Sequence, residues 1–319
     1  MLARFWGTRG SLPTPLTANQ VRGKIIGALQ AADGIDLADI QAITNFVDQQ
    51  LGIEIGGTFG GNTSCVQIDE IGDEFLICDM GSGARELGNY ALSCTPPNKP
   101  AVFHIMMSHS HWDHIMGFPF FTPAYIPGNK IIIRGCHEGL EEIFRLQHSR
   151  PFFPVDFDDL GAEIEFVTLR PGESHEIAGV QITGQKQNHE SDSYAYRLEH
   201  GGKTIIYATD GEHLLENEDD VDTVAAFYHN ADLLIFDAMY SLADAVTIRA
   251  DWGHSSNLVA VELARRANVG HLCLFHHEPG NNDKALADIL RETLRYLELS
   301  DPNNNLVISA AYDGLEIKV

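Results

Sequence analysis

Nowhere in the sequence do 18 apolar residues follow one another, which excludes a membrane-spanning helix. The opening, MLARFWGTRG, lacks the apolar core and small-residue cleavage site of a secretory signal, so a cytoplasmic location is expected. Basic residues are scarce: 21 Lys and Arg face 45 Asp and Glu, a formal net charge of −24 over 319 residues. A surface of that sign repels polyphosphate, and a broad nucleic-acid interface is disfavoured. The five cysteines, Cys65, Cys78, Cys94, Cys136 and Cys273, show no CxxC spacing and read as free thiols. No fixed-period repeat, low-complexity tract or Pro/Ser linker divides the chain, so one domain over residues 1–319 is expected.

What the chain does have is an alternation of short apolar runs and amphipathic stretches, the pattern of an α/β fold. Cys65–Asp69, Val102–Met107, Lys203–Ala208 and His271–Phe275 are among the predicted strands, and Ala84–Leu92, Asn257–Ala267 and Asn282–Leu297 among the predicted helices. Residues 16–52 break this rhythm. Ile40, Ile43, Phe46, Val47 and Leu51 recur at 3- and 4-residue steps, with Asp36 placed to cap, which predicts a helical insertion near the N-terminus. A lid, a homodimer contact and a surface elaboration all remain open for it.

The densest chemistry is SHSHWDHIMG, residues 108–117, where His109, His111, Asp113 and His114 fall within six positions directly after a predicted strand. Imidazoles and a carboxylate are N/O ligands suited to Zn, Mn or Fe, whereas a structural zinc site favours thiolates, so a site here is catalytic in type. Further along, QNHESDSYAYRLE sets His189 between two strands, TIIYATDG puts Asp210 at the end of a strand, and LCLFHHEP supplies His276 or His277 at another strand end. Trp112 reads as a packing residue, and at least one of Tyr194 and Tyr196, alternating in a strand, reads as core. The acidic clusters 156–159 and 216–220 read as solvated faces.

This HxHxDH pattern, with a later isolated His, an Asp and a last His, resembles the metallo-β-lactamase superfamily over nearly the whole chain outside residues 16–52. The resemblance implies a four-layer αββα sandwich holding two divalent metal ions, zinc first and Mn or Fe as alternatives. It implies His109, His111 and His189 on one ion, Asp113, His114 and His276 on the other, and Asp210 as the bridge. His276 is preferred to His277 because it directly follows Phe275.

Dinuclear β-lactamases use Cys where this chain has Asp210, so the resemblance is closer to the ribonuclease Z-like and phosphodiesterase-like branch. There, the segment DWGHSSNLVAVELARRA, residues 251–267, resembles one whose His protonates or stabilises the leaving group. His254 and Asp113 are thus the residues assigned to catalysis. Ribonuclease Z enzymes carry a tRNA-gripping arm between the third His and the bridging Asp, and only 20 residues separate His189 from Asp210 here. The expected partner is a small anionic substrate, with neither nucleic acid nor membrane. The expected reaction is hydrolysis of a small or cyclic phosphodiester by a hydroxide held between the ions. A thioesterase or lactonase on the same ions, or a non-catalytic metal-binding sensor, are the alternatives. FWGTRGS (5–11) and GGTFGGNTSC (56–65) resemble segments of bacterial phosphodiesterase-like members, and their glycines suit either site backbone or an ordinary turn.

Overall fold

The computed structural model describes residues 1–96, 99–238, 240 and 253–319. Asp251 and Trp252, which open the His254 segment, lie outside the described residues. Two seven-stranded sheets form the centre. Strands β1 (Leu2–Gly7), β2 (Cys65–Asp69), β3 (Phe75–Cys78), β4 (Val102–Met107), β5 (Lys130–Gly135), β6 (Glu163–Thr168) and β14 (Glu316–Lys318) build one, ordered β14-β1-β2-β3-β4-β5-β6. The other contains β7 (Ser174–Ile177), β8 (Val180–Lys186), β9 (Tyr194–His200), β10 (Lys203–Ala208), β11 (Leu233–Asp237), β12 (His271–Phe275) and β13 (Val307–Ala310), ordered β13-β12-β11-β10-β9-β8-β7. β3 to β6 run parallel, as do β10 to β13. A parallel strand covered on both faces needs apolar side chains on both. Accordingly, all five residues of β11 are buried.

The insertion is helical, as expected: α1 (Ala18–Ala31), α2 (Ile40–Gln50) and the single turn α3 (Ile53–Gly56). Asp39, not Asp36, caps α2, its side chain accepting from Gln41 N, while Asp36 accepts from Ala38 N in the turn before. A cap must lie immediately ahead of the first helical residue to reach the free N–H groups, and Asp36 is too far back. α1 buries no residue. Lys24 fastens it to the body, ion-paired to Asp283 at 2.6 Å and donating to Glu54 O and Gly57 O.

Three apolar clusters define four layers. Phe5, Val66 and Met106 of the first sheet meet Ile182, Tyr196 and Phe275 of the second between the sheets. Outside the first sheet, α4 (Ala84–Cys94) and α6 (Leu140–Gln147) pack through Leu87, Ala91 and Phe144; the one-turn α5 (Trp112–Ile115) adds Ile115. Outside the second, α7 (Glu218–Tyr228), α8 (Asn257–Arg266) and α9 (Asp283–Ser300) pack through Val224, Ala260 and Leu286. The architecture is thus the αββα sandwich. Tyr194 and Tyr196 are both buried, and residues 216–220 are exposed. No helix among the described residues is long and apolar enough to cross a membrane.

The two glycine-rich segments meet beside β14. Thr8 N and Arg9 N both donate to Asn62 O, and Asp313 Oδ2 accepts from Gly61 N and Asn62 N. Burial raises the Asp313 carboxyl from 3.8 to about 6 despite those donors. The folded chain therefore holds this proton more tightly than the unfolded one, so the residue's contribution to stability is full below pH 4 and is lost as pH rises through about 6. Asp313→Asn keeps an acceptor oxygen without the charge. Relative to wild type, the metal-free variant is expected to gain about 1 kcal/mol in urea unfolding between pH 5 and 7.5. Parallel stability profiles for the two proteins would show that Asp313 is not the group responsible.

Candidate metal centre

The carboxyl ends of β3, β4, β8, β10, β11 and β12 face one edge of the sandwich, where α/β folds commonly place their sites. Directly beyond β4, the chain runs through Ser108 and His109 into α5, bringing four predicted ligands to this edge. Asp210 follows β10 and His276 follows β12, both in the left-handed backbone region with φ of 55° and 57°. Such backbone costs a non-glycine residue about 1 kcal/mol or more and persists where surroundings enforce it.

All seven predicted ligands come together. Asp210 lies between two groups. Its Oδ1 stands 3.8 Å from both His109 Nε2 and His189 Nε2, while its Oδ2 stands 3.2 Å from His114 Nε2 and 3.4 Å from His276 Nε2. On the first side, His189 Nε2 lies 3.3 Å from His111 Nδ1; on the second, Asp113 Oδ2 lies 3.2 Å from His114 Nε2 and 3.1 Å from His276 Nε2. His109, His111 and His189 form one group able to hold a cation, and Asp113, His114 and His276 another, each with its donor atoms within 4.8 Å of one another. His277 is turned away, donating from Nε2 to Ala311 O at 2.8 Å. His276, and not His277, therefore has its ring in the cluster.

The donors are prepared for a cation. His109 is fully buried and its Nε2 has no hydrogen-bond partner, although an unpaired buried nitrogen is costly. His114 Nδ1 donates to Asp79 Oδ2 at 2.7 Å and His189 Nδ1 to Gly253 O at 2.8 Å, which points each Nε2 at the cluster. Burial, reinforced by His114, keeps His109 well below the usual histidine range and hence neutral. Burial opposes charge on Asp210, but the neighbouring His276 and His114 outweigh it and hold the carboxyl ionised. For Asp113, burial is likewise overcome by His114 and His276. Burial lowers the pKa of His114, but Asp113, Asp210 and Asp79 raise it well above the usual histidine range, so His114 carries a proton that a cation would displace. Glycine lets backbone close on the rings: a Cβ on Gly10 would stand 2.5 Å from His276 Cε1, and one on Gly253, at φ +79°, 2.4 Å from His189 Nδ1.

Two carboxylates escaped the sequence reading. Asp79, just past β3, takes Ser108 N and Ser108 Oγ, His114 Nδ1 and Tyr207 Oη at 2.6–2.8 Å, anchoring the start of the ligand loop. Asp237 ends β11 and accepts from His254 Nδ1 at 2.7 Å. Each follows an apolar strand, the signal that marked Asp210, and that signal could have found them. His254 stacks on His276 with centroids 5.2 Å apart and lies 5.3 Å from His189. Burial lowers its pKa, but Asp237, Asp210 and Asp113 together raise it to about 9. Trp112 corrects the packing expectation. It is 63% exposed, because a one-turn helix that buries Asp113, His114 and Ile115 must present its remaining residue outward.

Comparison with known proteins identifies the family. A family model described as a beta-lactamase superfamily domain matches residues 77–277. Ribonuclease BN of Escherichia coli O81 (strain ED1a) is 24% identical over 289 residues, covering 73% of this chain and 88% of the relative. Among solved structures, the metallo-beta-lactamase fold protein YhfI from Bacillus subtilis aligns with a TM-score of 0.64 at 19% identity, covering 99% of this chain and 98% of that one. Human tRNase Z, short form, aligns at 0.58 and 16% identity over 100% and 98%. At such identities the structural likeness is one of fold. The family match spans more than half of the chain and contains all seven clustered residues, and the chain belongs to the beta-lactamase superfamily.

Proposed function

We propose that the chain is a dinuclear metal-dependent hydrolase of small phosphodiesters. The observation that carries this reading is Asp210, whose two carboxylate oxygens face separate groups of histidines. His109, His111 and His189 with Oδ1 would hold one ion, and Asp113, His114 and His276 with Oδ2 the other. Zinc suits this N/O set, as do Mn and Fe. When bound, such a pair supplies Lewis acidity and a water of lowered pKa. Asp79 and Gly253 fix the orientation of His114 and His189, and Asp237 fixes that of His254.

Phosphorus is favoured over a thioester by the His254–Asp237 pair. An alkoxide is a poor leaving group and needs a proton, whereas a thiolate departs without one. His254, holding its Nδ1 proton toward Asp237, keeps Nε2 for that transfer. A small substrate is favoured by the net charge of −24 and by the direct β9–β10 hairpin between His189 and Asp210, which has no room for a gripping arm. The metal-loaded chain is expected to hydrolyse bis-nitrophenyl phosphate or a small cyclic phosphodiester and to leave precursor tRNA intact at physiological salt. Efficient tRNA 3′ processing, or thioester or lactone turnover far above every phosphodiester, would overturn this reading.

A further inference from the structure

Beside the metal centre lies a cavity of about 810 Å³, walled by Pro13, Pro15, Trp112, Met116 and Phe120. We propose that this cavity seats a flat apolar, aryl-sized arm of the substrate while its phosphodiester sits at the histidine–aspartate cluster. The proposal rests on the phosphodiesterase reading above and adds the class of substrate.

The first support is continuity. Trp112, the first residue of α5, and Met116, just past its end, flank Asp113 and His114, so one short turn carries both a wall of the cavity and two of the clustered residues. The opposite wall comes from the loop after β1. Gly10 lies against the His276 ring and Ser11 N donates to Asp113 Oδ2 at 2.7 Å, and Pro13 and Pro15 follow within a few residues. The segments that wall the cavity are thus the ones that touch Asp113 and His276, which puts the cavity within reach of one ester arm of a diester held at the cluster.

The second support is chemistry. Trp112 and Phe120 are 63% and 57% exposed, and Phe120 is further lined by Phe153 with centroids 5.6 Å apart. Broad aromatic faces left open to water beside a reactive centre gain most from a flat apolar ligand. Two polar groups at the rim have partners within the protein. Ser82 Oγ donates to Asn62 Oδ1 and accepts from Thr63 N, and Arg85 pairs with Glu86 at 2.8 Å. The lining surface is mainly apolar, which suits an aryl arm better than a hydroxyl-rich sugar arm.

The test keeps nitrophenolate as the leaving group and varies the other arm of the diester between methyl and 1-naphthyl. In wild type the naphthyl diester is expected to show at least about tenfold higher kcat/KM than the methyl diester, and Trp112→Ala or Phe120→Ala to reduce that ratio several-fold. Both side chains are largely exposed, so neither substitution threatens the fold. Calorimetric titration of the metal-loaded chain with naphthyl methylphosphonate, against methyl methylphosphonate, gives a readout without turnover. Turnover of both diesters without naphthyl preference, or a preference untouched by both substitutions, would overturn the apolar subsite. Failure of every diester, with naphthyl methylphosphonate still bound in a Trp112-dependent way, would overturn the phosphodiesterase reading and keep the subsite. A dimer in sedimentation that Trp112→Ala dissociates would assign the cavity to a second copy and overturn the proposal.

Discussion

Replacing Asp210 by Asn is expected to remove one of two bound metal ions and more than about 100-fold of kcat/KM, beyond the 10–100-fold typical of residues that merely orient a ligand. Asn is the informative change. It tolerates the left-handed backbone, φ 55°, that Asp210 adopts, so the strand end can keep its shape. What changes is one oxygen. An amide nitrogen donates rather than accepts, so it can serve one group of histidines and repels a cation at the other. The metal-free variant should fold, because the substitution deletes a charge buried to 2% exposure. Metal analysis showing two ions at wild-type affinity with wild-type turnover would assign the bridge elsewhere.

His254→Ala is the second change with a large expected effect, and its size should depend on the leaving group. For phosphodiesters that release an alkoxide, loss of a proton donor is expected to cost about 10²–10³ in kcat/KM, within the usual range for general acid catalysis. For nitrophenyl diesters, whose leaving group departs as a stable anion, less than about tenfold should be lost. Asp237→Asn should follow the same trend more weakly, because the ring remains and only its 2.7 Å anchor is altered. Metal content serves as the control, since His254 stacks on His276. Equal losses across leaving groups with both ions retained would make His254 a structural residue.

The strands were largely legible, because parallel strands covered on both faces must be written as apolar runs. Val102–Met107, Lys203–Ala208 and His271–Phe275 begin and end in the structure where the sequence predicts. The strand that sequence reading missed, Ser174–Ile177, is a four-residue edge strand with mostly solvent-facing residues, so it carries no apolar run to detect. α1 was hidden within the insertion for a similar reason: it buries nothing, and its start is set by a Thr17–Gln20 capping box rather than by a core-facing stripe.

The sequence by itself determined the residues that cluster: HxHxDH at residues 109–114 by spacing, and His189, Asp210 and a His at 276 or 277 by their resemblance to a family pattern, each just beyond a strand. Ligands on one turn are readable because spacing alone brings them together. Tertiary structure decided what spacing cannot express. It placed Asp79 and Asp237 behind His114 and His254, residues 35 and 17 positions apart, through strands that become neighbours only when the sheets assemble. It brought the His276 ring into the cluster while engaging His277 with Ala311 O, and turned Trp112 outward because the same turn sends Asp113 and His114 inward. Hydrogen bonds across the sheets and left-handed turns at strand ends fix the direction of each donor. Those directions depend on the whole sandwich rather than on any local segment.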